Sequence, residues 1–234
     1  MFSHFSIGRK ISLGFAVVIL STIVAFYITN RTFVNSQKIN EEITNNHTPS
    51  IAKLEELKLM LVRSKMLINN WVYLSSPPEN EDKVALNRLT ISEYPKLKID
   101  IETLAKQWQD STKASLAPLF ENIEMLWSNH DIVKQTLSGM ESYNDPFNQF
   151  TANSMVEDGG DIYLLTDDIL TMLNVLIDQK KNTTEIITAE MIDSFQGVRM
   201  LIKNLGIGLT IAGVIIAFLT TRTIVSPVRK LRLI

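Results

Sequence analysis

Residues 11–30 read ISLGFAVVILSTIVAFYITN, twenty positions without a charged side chain. About 20 mostly apolar residues, at 1.5 Å of helical rise each, cross the ~30 Å hydrocarbon layer of a bilayer. Residues 204–221, NLGIGLTIAGVIIAFLTT, form a second uncharged run. Its 18 residues are near the lower limit, but the flanking Lys203 and Arg222 have stems long enough to reach outward from its ends. A cleaved leader is the alternative for the first run, with Arg9-Lys10 as its basic start. The run is longer than a leader's apolar core, and Ala25-Phe26-Tyr27 is a poor cleavage site, so an uncleaved anchor is expected. A buried core helix is the alternative for the second run. A single globular domain of this size hardly needs two such segments at opposite ends.

Charge supplies the orientation. The chain's net charge is −2, yet all 25 acidic residues lie between Glu41 and Asp193. Arg9, Lys10, Arg222, Arg229, Lys230 and Arg232 stand outside the two runs, leaving 17 basic residues and a net charge of −8 in segment 31–203. Short basic flanks mark the cytoplasmic side of a span. The expected layout is therefore a cytoplasmic N-terminus (1–10), a first transmembrane helix (11–30), an extracytoplasmic domain (31–203), a second transmembrane helix (204–221) and a cytoplasmic segment (222–234). This places a two-pass protein in a membrane, with both termini inside and the lipid bilayer as an obligatory partner.

Working outward, segment 31–203 reads as helical throughout. Leu54, Leu57, Leu61, Ser64, Ile68 and Trp71 recur at spacings of three and four, an a/d seam. Pro49 predicts a bend, and Pro77-Pro78 a break after Leu74. A second helix is expected from Glu81 to Gln109, kinked or restarted at Pro95 and carrying Leu97, Ile101, Leu104 and Trp108. A third begins near Lys113 with Leu116, Leu119, Phe120, Ile123, Leu126, Trp127 and Val133. Gly139 and Ser142–Pro146 interrupt it, with Asp145 as N-cap and Pro146 at N1. Gly159-Gly160 makes the next turn. The fourth helix starts near Asp161, uses Ile162, Leu165, Ile169, Met172 and Leu176, and runs unbroken into the second span. Residues 32–74 and 161–203 each reach roughly 65 Å as helix. The expected fold is all-α: an antiparallel up-down four-helix bundle whose first and last helices continue into the two transmembrane helices.

Little in the chain suggests catalysis. With no cysteine, disulfides, thiol nucleophiles and thiolate metal sites are excluded. His4, His47 and His130 are isolated, and no His or His/Glu pair has ligand spacing, so exposed or interfacial histidines are expected and no metal. Glu41-Glu42, Glu55-Glu56 and Asp167-Asp168 read as solvated helix faces rather than catalytic pairs. Neither a nucleotide-binding glycine loop nor a Ser/His/Asp order stands out. The expectation is no enzyme, no cofactor and no nucleic-acid partner. Trp71, Tyr73, Trp108 and Trp127 invite a ligand-cage reading, but the three tryptophans fall on apolar helix faces, which favours core packing.

Residues 222–231 read RTIVSPVRKL. An arginine at the membrane edge, Ile224, Pro227 three residues later, then Val228 and Leu231 opening an amphipathic helix resemble the start of a HAMP domain. That two-helix converter follows the last span of many bacterial receptors. The opening Ile7-Gly8-Arg9-Lys10-Ile11-Ser12-Leu13-Gly14-Phe15, with the architecture above, is similar to the four-helix-bundle sensor region of methyl-accepting chemotaxis proteins and sensor histidine kinases. The resemblance implies a homodimer that detects an extracytoplasmic small-molecule or protein ligand. Movement of the fourth helix would pass the signal to Arg222, Ile224, Pro227, Val228 and Leu231. The chain ends within the first HAMP helix, so a truncated receptor is expected, its output domain lying beyond. In related bundle sensors, basic residues on the first helix bind acidic ligands across the dimer interface. Arg63 beside Leu61 and Ser64 is the candidate for that role, with Trp71 as a second ligand-contacting candidate; an ordinary surface arginine is the plainer alternative. The competing function is a membrane-anchored helical adaptor or structural protein that binds another protein without HAMP signalling.

Overall fold

The computed structural model describes residues 7–221, and among them every regular element is helical. The HAMP-like residues Arg222, Ile224, Pro227, Val228 and Leu231 lie outside the described residues. The α-helices are α1 (Ile7–Glu42), α2 (Thr48–Tyr73), α3 (Glu81–Arg88), α4 (Tyr94–Ala105), α5 (Asp110–Ala114), α6 (Leu116–Thr136), α7 (Pro146–Val156) and α8 (Asp161–Thr220). Two π turns, Ile43–His47 and Leu89–Glu93, join α1 to α2 and α3 to α4.

The turns have local causes. Pro49 and Pro95 each occupy the first positions of the helix after a π turn. Proline offers no N–H to the carbonyl four residues back and its ring crowds that carbonyl, so the ladder widens to i→i+5 just upstream. The predicted bends at Pro49 and Pro95 thus take the form of π turns. Asn80 caps α3, its side chain accepting the Asp82 N–H at 3.0 Å, and Asp145 caps α7 by accepting that of Phe147 at 2.8 Å. The third helical region differs from its expected start near Lys113: α5 closes at Ala114 and α6 begins at Leu116. Gly159 turns with φ +89°, and a Cβ on Gly160 would overlap the carbonyl oxygens of Ser154 and Met155.

The chain divides into two compact units, one holding residues 1–40 and 186–234, the other Glu41–Glu185. The second contains one hydrophobic core from Leu54 to Ile177, supplied by α2, α3, α4, α6, α7 and the first turns of α8. The seam residues Leu54, Leu57, Leu61, Ile68, Ile101, Ile123, Leu126 and Ile169 are all fully enclosed. Contacts between neighbouring helices pair residues in opposite chain order. Ser50 meets Trp108 and Asn70 meets Asp82 between α2 and the α3–α4 region, while Tyr94 meets Trp127 and Lys98 meets Phe120 between α4 and α6.

In the first unit the apolar residues face outward. Two helices are long and apolar enough to cross a membrane, with best windows of mean hydropathy 1.6 and 2.0 and nothing in those windows buried. Phe15, Leu20, Val24, Val214 and Phe218 are all more than half exposed. Gly14 leaves room for Ile216, whose Cδ1 lies 2.8 Å from where a Cβ would stand.

Candidate functional site

Arg63 lies on the exposed side of α2, opposite the seam. It lines a groove of about 500 Å³ between α2 and α3 with Met66, Glu79, Glu81, Asp82 and Arg88. The groove exists because the Pro77-Pro78 break turns the chain back and the Asn80 cap starts α3 alongside α2. Arg88 is taken by Glu93 at 3.0 Å, and Asp82 accepts from Asn70 at 2.8 Å. Arg63 makes no ion pair among the described residues. Its fork is open to an incoming carboxylate, although three of the groove's own residues are acidic.

Trp71 is placed elsewhere. It is buried in the core, its Nε1 donates to the Leu137 carbonyl at 3.1 Å, and its own carbonyl accepts from the Tyr143 hydroxyl. The structure does not bring Arg63 and Trp71 into one site: Arg63 lines the groove, while Trp71 is packed beneath Lys83. That lysine is only 1% exposed, donates to the Ser76 carbonyl at 2.6 Å, and stands 4.9 Å from the centres of the Trp71 and Tyr143 rings. The two ring faces supply the negative potential that a buried ammonium otherwise lacks. Burial lowers the Lys83 pKa and raises that of Tyr143.

A second tryptophan–lysine pair uses Trp108, which donates to Ser50 Oγ at 2.9 Å and carries the buried Lys180 ammonium 4.4 Å above its ring. Next to it lies His47 on the first π turn, with Nε2 3.5 Å from Glu42 and Nδ1 buried without a partner. Burial, then the Lys180 charge, lowers the His47 pKa. The i→i+5 widening stacks Glu42 against His47, five residues on.

The third tryptophan, Trp127, meets Tyr94 and His130 edge-on, with centroids 5.5 and 5.2 Å apart. His130 is fully buried and both ring nitrogens lack partners; burial, then Lys134, lowers its pKa to about 3. His47 and His130 are therefore core residues, not the exposed or interfacial ones expected. Lys83, Lys180 and His130 are buried although a charged or polar side chain ordinarily favours solvent. The signal was present: each continues an apolar seam at helical spacing, Lys83 three before Leu86, His130 three after Trp127, and Lys180 three after Ile177.

Among the described residues no three His, Asp or Glu side chains converge as metal ligands do. Lys83 and Lys180 are held over aromatic rings in the core. The arrangement can bind at the α2–α3 groove. No family model, curated protein or solved structure matches the chain.

Proposed function

We propose that the chain is the sensory and membrane-crossing part of a bacterial signal-transduction receptor, either a sensor histidine kinase or a chemoreceptor. In this reading segment 31–203 is an extracytoplasmic up-down four-helix bundle that detects a small molecule or protein. The helices around 11–30 and 204–221 cross the inner membrane, and both termini are cytoplasmic. The observation that carries the reading is α8, a single helix from Asp161 to Thr220 that holds core residues Ile162, Ile169 and Leu173 and also the uncovered apolar window. A continuous helix transmits a shift or rotation better than a loop, and a ligand favouring one position of it would bias the output. Arg222, Ile224, Pro227, Val228 and Leu231 would receive the motion as the start of HAMP. The chain itself is read as non-enzymatic.

A homodimer fits the second apolar face of α2. Leu59, Val62, Met66 and Tyr73 are 70, 47, 53 and 58% exposed, and with half-buried Asn69 they follow the 3-4-3-4 spacing of a coiled-coil stripe. A single asparagine in such a stripe fixes register at some cost in stability. A two-fold axis would lay this stripe on its copy. Arg63 and Lys58 then flank the seam, where an acidic ligand would neutralise them.

The test joins the chain to a histidine kinase output and inserts one to four alanines after Thr221. Each added residue rotates the downstream helix by about 100°. The proposed relay predicts kinase activity that rises and falls with helical period. Activity indifferent to every insertion would favour the adaptor reading.

A further inference from the structure

Tyr27, Arg31, Val34 and Lys38 recur at spacings of four, three and four on one face of α1, just where the first uncharged run ends. With Asn30 and Asn35, and with Ser194 from α8, they line a groove of about 600 Å³. No carboxylate lines it. Neither Arg31 nor Lys38 makes an ion pair among the described residues. Segment 31–203 carries a net charge of −8, so a groove that holds two cations and no carboxylate runs against its overall sign. Both are exposed, and no lining residue competes for them, so the groove can accept an anion from outside.

The groove's level on the helix says which anion. Tyr27, 65% exposed, is an uncovered amphipathic ring of the kind that settles at the headgroup level of a bilayer, and it stands four residues before Arg31. Arg31 stands one residue past the uncharged run. Lys38 is about 10 Å further along the axis, and its four-carbon stem can reach back toward the membrane. Arginine grips two phosphate oxygens with its fork, and lysine adds a point charge. Asn30 and Asn35 offer uncharged donors to the remaining oxygens, while Ser194 Oγ donates to the Glu190 carbonyl at 2.9 Å and only lines the groove.

We propose that this groove binds the phosphate of an anionic phospholipid from the leaflet facing segment 31–203. The inference rests on the reading that both apolar helices cross the membrane. Two cations against one phosphodiester leave a charge of +1, so a headgroup without a compensating amine is preferred over a zwitterionic one. Each basic residue near an anionic surface contributes about 1 kcal/mol, so the pair predicts roughly thirtyfold preference for phosphatidylglycerol over phosphatidylcholine.

The experiment is native mass spectrometry of the full chain released from micelles doped equally with phosphatidylglycerol and phosphatidylcholine. The expected result is one phosphatidylglycerol retained per chain at roughly thirtyfold over phosphatidylcholine. Arg31→Ala/Lys38→Ala should erase the preference, whereas Arg31→Lys/Lys38→Arg should keep it. Lys96→Ala/Lys113→Ala, which removes the same charge elsewhere, should change nothing. Equal retention of both lipids, or a preference indifferent to the Arg31/Lys38 pair, overturns the proposal. Displacement of the lipid by excess inorganic phosphate, with phosphate then held by the lipid-free chain, also overturns it and makes the ligand a soluble anion. Recovery of the chain in the soluble fraction sinks the membrane reading along with the lipid site, but insertion without lipid preference sinks only the latter.

Discussion

Leu61 and Leu20 are the same residue in helices of the same chain, yet Leu61 is 0% exposed and Leu20 62%. The difference lies in what surrounds each. Around Leu61 the apolar positions form a stripe, with Glu55, Glu56, Lys58 and Arg63 on other faces, so one side of α2 seeks protein and another tolerates water. Around Leu20 no face carries a charge, so no orientation of α1 could hide its apolar surface behind a polar one. An uncovered area of this extent marks a surface made to meet lipid or another protein. Hydrophobic content alone would equate the two regions; periodicity separates them.

The comparison is broken most directly by equal substitutions on its two sides. Leu61→Ala should cost the segment around the core about 2–5 kcal/mol, as enclosed leucines do, measured by urea unfolding in mild detergent. Leu20→Ala should leave that transition within about 0.5 kcal/mol. Equal losses would mean that Leu20 is also core. Gly160→Ala comes next. Its Cβ meets backbone oxygens that cannot swing aside, and overpacking of that kind costs about 1–3 kcal/mol in the same measurement.

Acid sharpens the contrast further, because His130 sits inside the core. Its folded pKa of about 3 lies below the ordinary 6.5, so the unfolded chain takes up the proton first. Stability should therefore be full above pH 6.5 and fall as the pH drops from there toward 3. His130→Leu should flatten that fall and raise the melting temperature at pH 5, since it also removes two unpartnered ring nitrogens. An unchanged pH profile would place His130 outside the core. A smaller loss than that of Leu61→Ala is expected for Asp145→Ala, about 1 kcal/mol from the lost cap on α7, visible as a modest shift in melting temperature.

Much of this organisation was legible in the residues. The seams of α2, α4, α6 and α8, the break at Pro77-Pro78, the Asp145-Pro146 start and the Gly159-Gly160 turn all follow from local rules of periodicity and backbone geometry. Harder to foresee was how the helix would respond to Pro49 and Pro95. A kink, a restart and a π turn all relieve the same missing N–H, so the local sequence does not choose among them. The buried lysines escaped because their stability depends on Trp71, Tyr143 and Trp108, which come from distant parts of the chain. Arg63 and Trp71 are two turns apart on α2, near enough to read as one site. The α-helix nevertheless turns one outward and the other into the core.

The most direct test of the account is the side of the membrane on which each part lies. The chain has no cysteine, so every one introduced is unique. Ser111→Cys, at an exposed position in α5, and Ser3→Cys, ahead of the first uncharged run, would each be exposed to a membrane-impermeant maleimide in intact and in lysed bacteria. The account predicts that Ser111→Cys labels in intact cells and Ser3→Cys only after lysis. Labelling of both in intact cells, or of neither before lysis, would contradict the two-pass receptor.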